Sequence, residues 1–144
     1  MSQIPVPQGR YHPAVRWGNI VCTAGMTSRK NGKLLFSGKV TAEKPTEEYR
    51  QAVEQAAANA LTAARSVLTG AEEIGQILSL TVYINAEQDF TTHAKIGDLA
   101  SDYLVRELGA AGIGARAALG VATLPGNAPV EIQLVAGIRE EPQN

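Results

Sequence analysis

The chain has 144 residues, enough for one domain spanning 1–144 whose core needs neither disulfide nor metal support. Thirteen basic and fourteen acidic side chains leave a formal net charge of −1 with no basic tract, so the electrostatic footprint of a nucleic-acid binder is missing. The single cysteine, Cys22, excludes an intrachain disulfide and any cysteine-rich zinc site; within Ile20-Val21-Cys22-Thr23-Ala24 it reads as a small apolar strand residue.

Met1 to Pro7 offers neither a positive n-region nor an apolar h-region, and no stretch reaches the length of a membrane span. A cytoplasmic protein is the expectation. Ala14 to Trp17 and Ile20 to Ala24 read as strands joined by a tight turn at Gly18-Asn19, with further turns at Asn31-Gly32 and Ser37-Gly38. Thr46-Glu47-Glu48 opens a helix whose apolar positions Tyr49, Val53, Ala56, Ala60, Leu61, Ala64, Val67 and Leu68 keep a helical period up to Gly70. Its many alanines predict close approach to a sheet.

Gln76 to Ile84 is the clearest strand, with Leu78, Leu80, Val82 and Ile84 on one side and Ser79, Thr81 and Tyr83 on the other. Asp89 is the expected cap of a second helix with Phe90, Ile96, Leu99, Tyr103, Leu104 and Leu108 inward, ending near Gly109; Gly97 marks an irregularity in its early part. Two closing strands, Arg116 to Thr123 and Pro129 to Ile138, read as a hairpin around Pro125-Gly126-Asn127, and the polar tail Arg139 to Asn144 as frayed. The order predicts an α+β layer fold with both helices on one sheet face. The opposite face, expected to carry Ala118, Gly120, Thr81, Tyr83 and Val135, is too apolar to leave in water and predicts a homo-oligomer.

One charge stands out. Arg116 heads Arg116-Ala117-Ala118-Leu119-Gly120-Val121-Ala122, where Arg116, Ala118, Gly120 and Ala122 share one strand face: a permanent cation beside a shelf of small side chains. A small carboxylate fits that description, and so does an ordinary ion pair. Glu131, on the polar parity of the last strand with Gln133, falls near Gly120 if the hairpin is tight; it is either a general base working through water or a solvated or salt-bridged residue. Tyr11 offers a phenol for a pocket wall, or simple packing. Asp98 and Asp102 lie four apart and read as a solvated helix face. His12 and His93 lack metal-ligand spacing, no glycine pattern makes a phosphate loop, and no serine sits in a nucleophile elbow.

Taken in order, several segments resemble the RidA family, also called YjgF and formerly L-PSP endoribonuclease. They are Gly18-Asn19-Ile20-Val21-Cys22-Thr23-Ala24-Gly25-Met26, Gly38-Lys39-Val40, Gln55-Ala56-Ala57-Ala58-Asn59-Ala60-Leu61, Thr81-Val82-Tyr83-Ile84, and Ala115 to Pro125 followed by Val130-Glu131-Ile132. Ala100-Ser101-Asp102-Tyr103-Leu104 and Gly109-Ala110-Ala111-Gly112 resemble a longer variant subgroup.

The resemblance implies a chorismate-mutase-like two-layer sandwich, a mixed β-sheet with two helices on one face, assembled as a homotrimer with ligand sites in clefts between subunits. It implies hydrolytic deamination of reactive enamine or imine intermediates, such as 2-aminoacrylate, to 2-oxo acids and ammonia, without a cofactor or metal. Arg116 matches the arginine that holds the substrate carboxylate, Glu131 the glutamate that positions water, and Tyr11 an aromatic residue of the cleft wall.

The deaminases of the family carry serine where this chain has Ala24, and cysteine where it has Ala118. Their helix asparagine falls near Ala94 without a secure counterpart. A second reading follows: the same substrate-binding set, Tyr11, Ala24, Arg116 and Ala118, holds a small carboxylate or imino acid without turnover. The older ribonuclease or translation-inhibitor reading conflicts with the neutral charge and the lack of interleaved aromatic and basic residues.

Overall fold

The computed structural model describes residues 3–140. Strands β1 (Ala14–Trp17) and β2 (Ile20–Thr23) form the expected hairpin, with Gly18 at φ +62° in its turn. Short β3 (Arg29–Lys30) and β4 (Lys33–Leu34) pair through Asn31 and Gly32, both at positive φ, as the tightest hairpin turn requires. A 3₁₀ turn at Thr46–Tyr49 leads into α1 (Arg50–Arg65). Then come β5 (Glu73–Asn85), α2 (His93–Leu108), β6 (Ala115–Val121) and β7 (Val130–Arg139).

The main sheet has five strands in the order β1-β2-β7-β5-β6. All its pairs are antiparallel except β5 with β6, which run parallel because α2 carries the chain back between them. This corrects the closing hairpin expected from sequence: β6 and β7 do not pair, and β5 lies between them. The turn at Pro125–Asn127 is present, but it belongs to a crossover that passes the end of β5.

Alternation sets the layers. Val130, Ile132, Leu134, Ala136 and Ile138 of β7, with Leu80, Val82 and Ile84 of β5, are buried beneath the helices. Helix α1 packs over β7 and β2, and α2 over β6 and β5 and against α1. The buried residues of α1 include Ala52, Ala56, Ala57, Ala60, Ala63 and Ala64, whose small volume permits close packing of the helix. Other boundaries shift. The second helix starts at His93 after Thr92 rather than at Asp89, and Phe90 is instead a buried residue meeting the His93 ring edge-on, 5.1 Å between centroids. Arg139 of the expected frayed tail completes β7 opposite Glu73; residues 141–144 and 1–2 lie outside the described residues. Among the described residues, no helix is long and apolar enough to cross a membrane.

A bidentate ion pair ties β1 to the turn after α1. Arg16 Nη1 and Nη2 donate to Glu72 Oε1 and Oε2 at 2.6 and 2.7 Å, and the Thr69 amide donates to the same carboxylate at 2.8 Å. These contacts, the guanidinium foremost, hold Glu72 down to a pKa of about 2 from its ordinary 4.5. A depressed carboxylate stabilises the fold fully above its unfolded value and loses that contribution as pH falls through the folded one. Thermal unfolding of Glu72→Gln against wild type therefore shows a lower melting temperature at pH 7, with the difference closing between pH 4.5 and 2; a pH-independent difference contradicts the assignment.

Candidate functional site

The parallel register decides where Arg116 points. Arg116 lies opposite Leu80, Ala118 opposite Val82 and Gly120 opposite Ile84, and those partners face the helices. Two residues in line across a sheet share a face, so Arg116, Ala118 and Gly120 lie beneath α2. Alternation alone puts Ala118 and Gly120 on the face away from the helices; the structure reverses that, since alternation shows which residues share a face but not which face is covered. Thr81, Tyr83 and Val135 do lie on the open face, joined there by Ala117 and Leu119.

The guanidinium is held by α2. Nη1 donates to Asp98 Oδ1 at 2.9 Å and to Ser101 Oγ at 3.1 Å, and Nη2 reaches the Ala94 carbonyl at 3.4 Å. The Arg116 side chain is 23 % exposed while Asp98 is 64 % exposed. Gly97 makes this contact possible: a Cβ there would lie 2.9 Å from Arg116 Cζ, 3.0 Å from Nε and 3.1 Å from the Ala118 Cβ. The helix runs regularly through Gly97, which is buried, so this glycine marks close packing and not the irregularity expected from propensity. Asp98, expected to be solvated, is the arginine's partner. The signal in the sequence was the set Gly97, Asp98 and Ser101, which puts a gap and two acceptors on one side of the helix. The strand face continues to Gly120, where a Cβ would come within 2.8 Å of His93 Nε2, and opens into a groove of about 610 Å³ bordered by Lys39, Phe90 and His93.

Glu131 lies on the other face. It pairs with Tyr83 and not near Gly120, because β5 intervenes. Its carboxyl rests on Gly25, where a Cβ would fall 2.2 Å from Oε2. Beside it the Tyr83 hydroxyl meets Gln133 Oε1 at 3.2 Å, and Gln133 Nε2 donates to the Thr23 carbonyl at 3.4 Å. Half-burial without a cation raises the Glu131 pKa above the ordinary carboxylate value. Ala24 follows β2 and donates its amide to the Pro13 carbonyl at 2.8 Å. Tyr11 is exposed, its hydroxyl accepting from the Gln8 amide at 3.0 Å. A single chain thus separates Arg116 from Glu131 by the thickness of the sheet. Among the described residues, no group of three or more His, Cys, Asp or Glu side chains could hold a metal ion.

The open face carrying Glu131 is rich in exposed apolar side chains. Val15, Ile20 and Leu119 are exposed, and Trp17 is 87 % exposed.

The profile of the Endoribonuclease L-PSP family matches residues 1–138. The chain belongs to this family, the YjgF family. Its fold superposes on protein Atu1372 of Agrobacterium tumefaciens, of unknown function, with a TM-score of 0.83 and 29 % identity over 94 % of this chain and 86 % of that one. Protein TCP17 of Trypanosoma cruzi is 27 % identical over 128 residues, 83 % of this chain and 79 % of that protein. The fold alone is shared with E. coli TdcF, solved with bound serine, at a TM-score of 0.66 and 22 % identity over 93 % of this chain and 92 % of the other.

Replacing Gly97 by alanine isolates the arginine slot. Ordinary helix propensity favours Gly97→Ala by about 1 kcal/mol. Here the new methyl meets Cζ, Nε and the Ala118 methyl, so the expected outcome is no gain in melting temperature. A variant more stable by the full propensity gain contradicts the packing role.

Proposed function

We propose that this family member hydrolyses small enamine or imine acids of the 2-aminoacrylate type, giving 2-oxo acid and ammonia, in a cleft built between copies of the chain in a homotrimer. The observation that carries the reading is the separation of the two functional side chains. Glu131 is a half-buried carboxyl with a raised pKa on an apolar, uncovered sheet face, whereas Arg116 sits under α2 at the sheet edge. Two such groups can serve one small ligand only if the arginine of one copy faces the glutamate of another, and burying the Trp17 face supplies a reason for copies to associate.

Arg116 retains what a carboxylate needs. Three donor contacts go to Asp98, Ser101 and Ala94, and Nε, which shares an edge of the guanidinium with Nη2, has no hydrogen-bond partner among the described residues. That edge offers a bidentate fork to the substrate carboxylate. Protonation of the enamine carbon from solvent gives an iminium whose carbon is electrophilic. Glu131, ionised, takes a proton from water as the water attacks that carbon, and collapse of the resulting amino alcohol releases ammonia and the 2-oxo acid. The backbone of β6 at Ala118 and of Ala24-Gly25 completes the wall, with Tyr11 at its rim.

A coupled assay that generates 2-aminoacrylate and follows pyruvate tests this. Glu131→Gln is expected to lower kcat/KM by about 10²- to 10⁴-fold, the range for a positioned acid–base group. A base works only when ionised, so wild-type activity falls as pH drops through the raised Glu131 pKa, a limb the variant lacks. No acceleration by purified wild type, or an Arg116→Ala enzyme equal to wild type, sinks the reading. So does a monomer by light scattering.

Ala24 and Ala118, in place of the hydroxyl and thiol that the resemblance leads one to expect, favour a second reading in which the cleft binds a small carboxylate without turnover. Thermal stabilisation by such ligands, lost in Arg116→Ala and accompanied by zero turnover across imine substrates, is its signature.

A further inference from the structure

We infer that Asp98 makes the arginine site selective for zwitterions, so that it favours a protonated amino or imino acid over the 2-oxo acid formed from it. The inference rests on Arg116 being the carboxylate clamp. Asp98 is a specificity-determining residue in it, and the reaction's own charge balance gives it a role: R–C(=NH₂⁺)–COO⁻ and water become R–CO–COO⁻ and NH₄⁺. The substrate enters with a cation beside its carboxylate; the product keeps the carboxylate and has lost the cation.

The structure separates holding from selecting. Arg116 is fixed by several contacts with α2, the Gly97 slot, Ser101 Oγ at 3.1 Å and the Ala94 carbonyl, so its placement does not depend on Asp98 alone. Asp98 is 64 % exposed, its one hydrogen-bond partner among the described side chains is Arg116, and only Oδ1 is engaged, at 2.9 Å. Oδ2 makes no hydrogen bond to a described residue. A fixed cation with an exposed anion beside it is the complement of a ligand that carries an anion with a cation beside it. The ligand carboxylate takes the free Nε/Nη2 edge, and its protonated nitrogen lies within the field of Asp98.

A ligand with a carboxylate alone brings two negative charges to one guanidinium. The like charge weakens its binding, which speeds release of the 2-oxo acid after the nitrogen leaves. The 2-oxo acid therefore departs from a site whose anion it no longer complements.

Titration calorimetry on the full assembled protein tests this with pyruvate as the anionic probe and L-serine as the zwitterionic one. In Asp98→Asn, pyruvate binds about threefold to fivefold more tightly and L-serine weakens by a similar factor, the size of one exposed charge interaction. Asp98→Glu keeps the charge and retains the wild-type preference. If both probes shift together in Asp98→Asn, or neither shifts, the selective role of Asp98 is overturned while the clamp stands. If Arg116→Gln binds pyruvate and L-serine as wild type does, or wild type binds neither probe, the clamp itself fails and the inference with it. Circular dichroism confirms folding of Asp98→Asn, which alters an exposed side chain.

Discussion

The close approach of α2 to the edge strand β6 governs what this molecule can do. An arginine on the covered face of a strand ordinarily forces a helix away or leaves a charge stranded in apolar surroundings. Gly97 removes the obstruction at the guanidinium, Ala118 narrows the next position, and Gly120 admits the His93 ring. The helix then answers the charge with Asp98, Ser101 and the Ala94 carbonyl. Charge, gap and acceptors come from two elements, fifteen to twenty-two residues apart in sequence, and the parallel β5–β6 register brings them into line.

The two candidate functional charges are treated in opposite ways. Arg116 is satisfied within its own chain, and what it can still offer is one edge of a planar cation. Glu131 has been given a glycine to lie on, a tyrosine and a glutamine beside it, and no cation among the described residues. Burying a carboxylate in this manner costs stability unless a partner, a proton or a ligand arrives. It persists on a face whose apolar neighbours are uncovered as well, so the same surface presents both an unmet charge and unmet apolar area.

Much of the fold was legible because it follows from local pattern. The β1–β2 turn, both helices, β7 and β5 from Leu80 onward, and the alanine-rich face of α1 each follow from residues a few positions apart, whereas an irregularity between Ile77 and Ser79 leaves Leu78 exposed and Ile77 buried against the expected alternation. Strand order was not legible, since nothing local says that β5 comes between β6 and β7; that depends on which strand the α2 crossover lays down beside β5. The same uncertainty reached the site. Alternation grouped Arg116 with Ala118 and Gly120 correctly, but a parallel neighbour was needed to say that the group faces the helix. Gly97 was weighed for its helix propensity, although its meaning lay across the layer in a side chain nineteen residues onward. Asp98 looked like any exposed helix acid until that arginine was placed beside it.

The position of β7 has a consequence for how the molecule comes into being. It follows every other strand in the chain, yet it sits between β2 and β5 and pairs with both. Until it has left the ribosome, no strand pairing joins the amino-terminal hairpin to the β5–α2–β6 unit, and two sheet edges wait unpaired. The hairpin and the β5–α2–β6 unit can each gather from nearby contacts; joining the halves means closing loops of over a hundred residues, from Cys22 to Val135. The arginine slot belongs to the part that can form early and the Glu131 shelf to the part that must wait, so during synthesis the cation is in place before the carboxylate has anything to rest on.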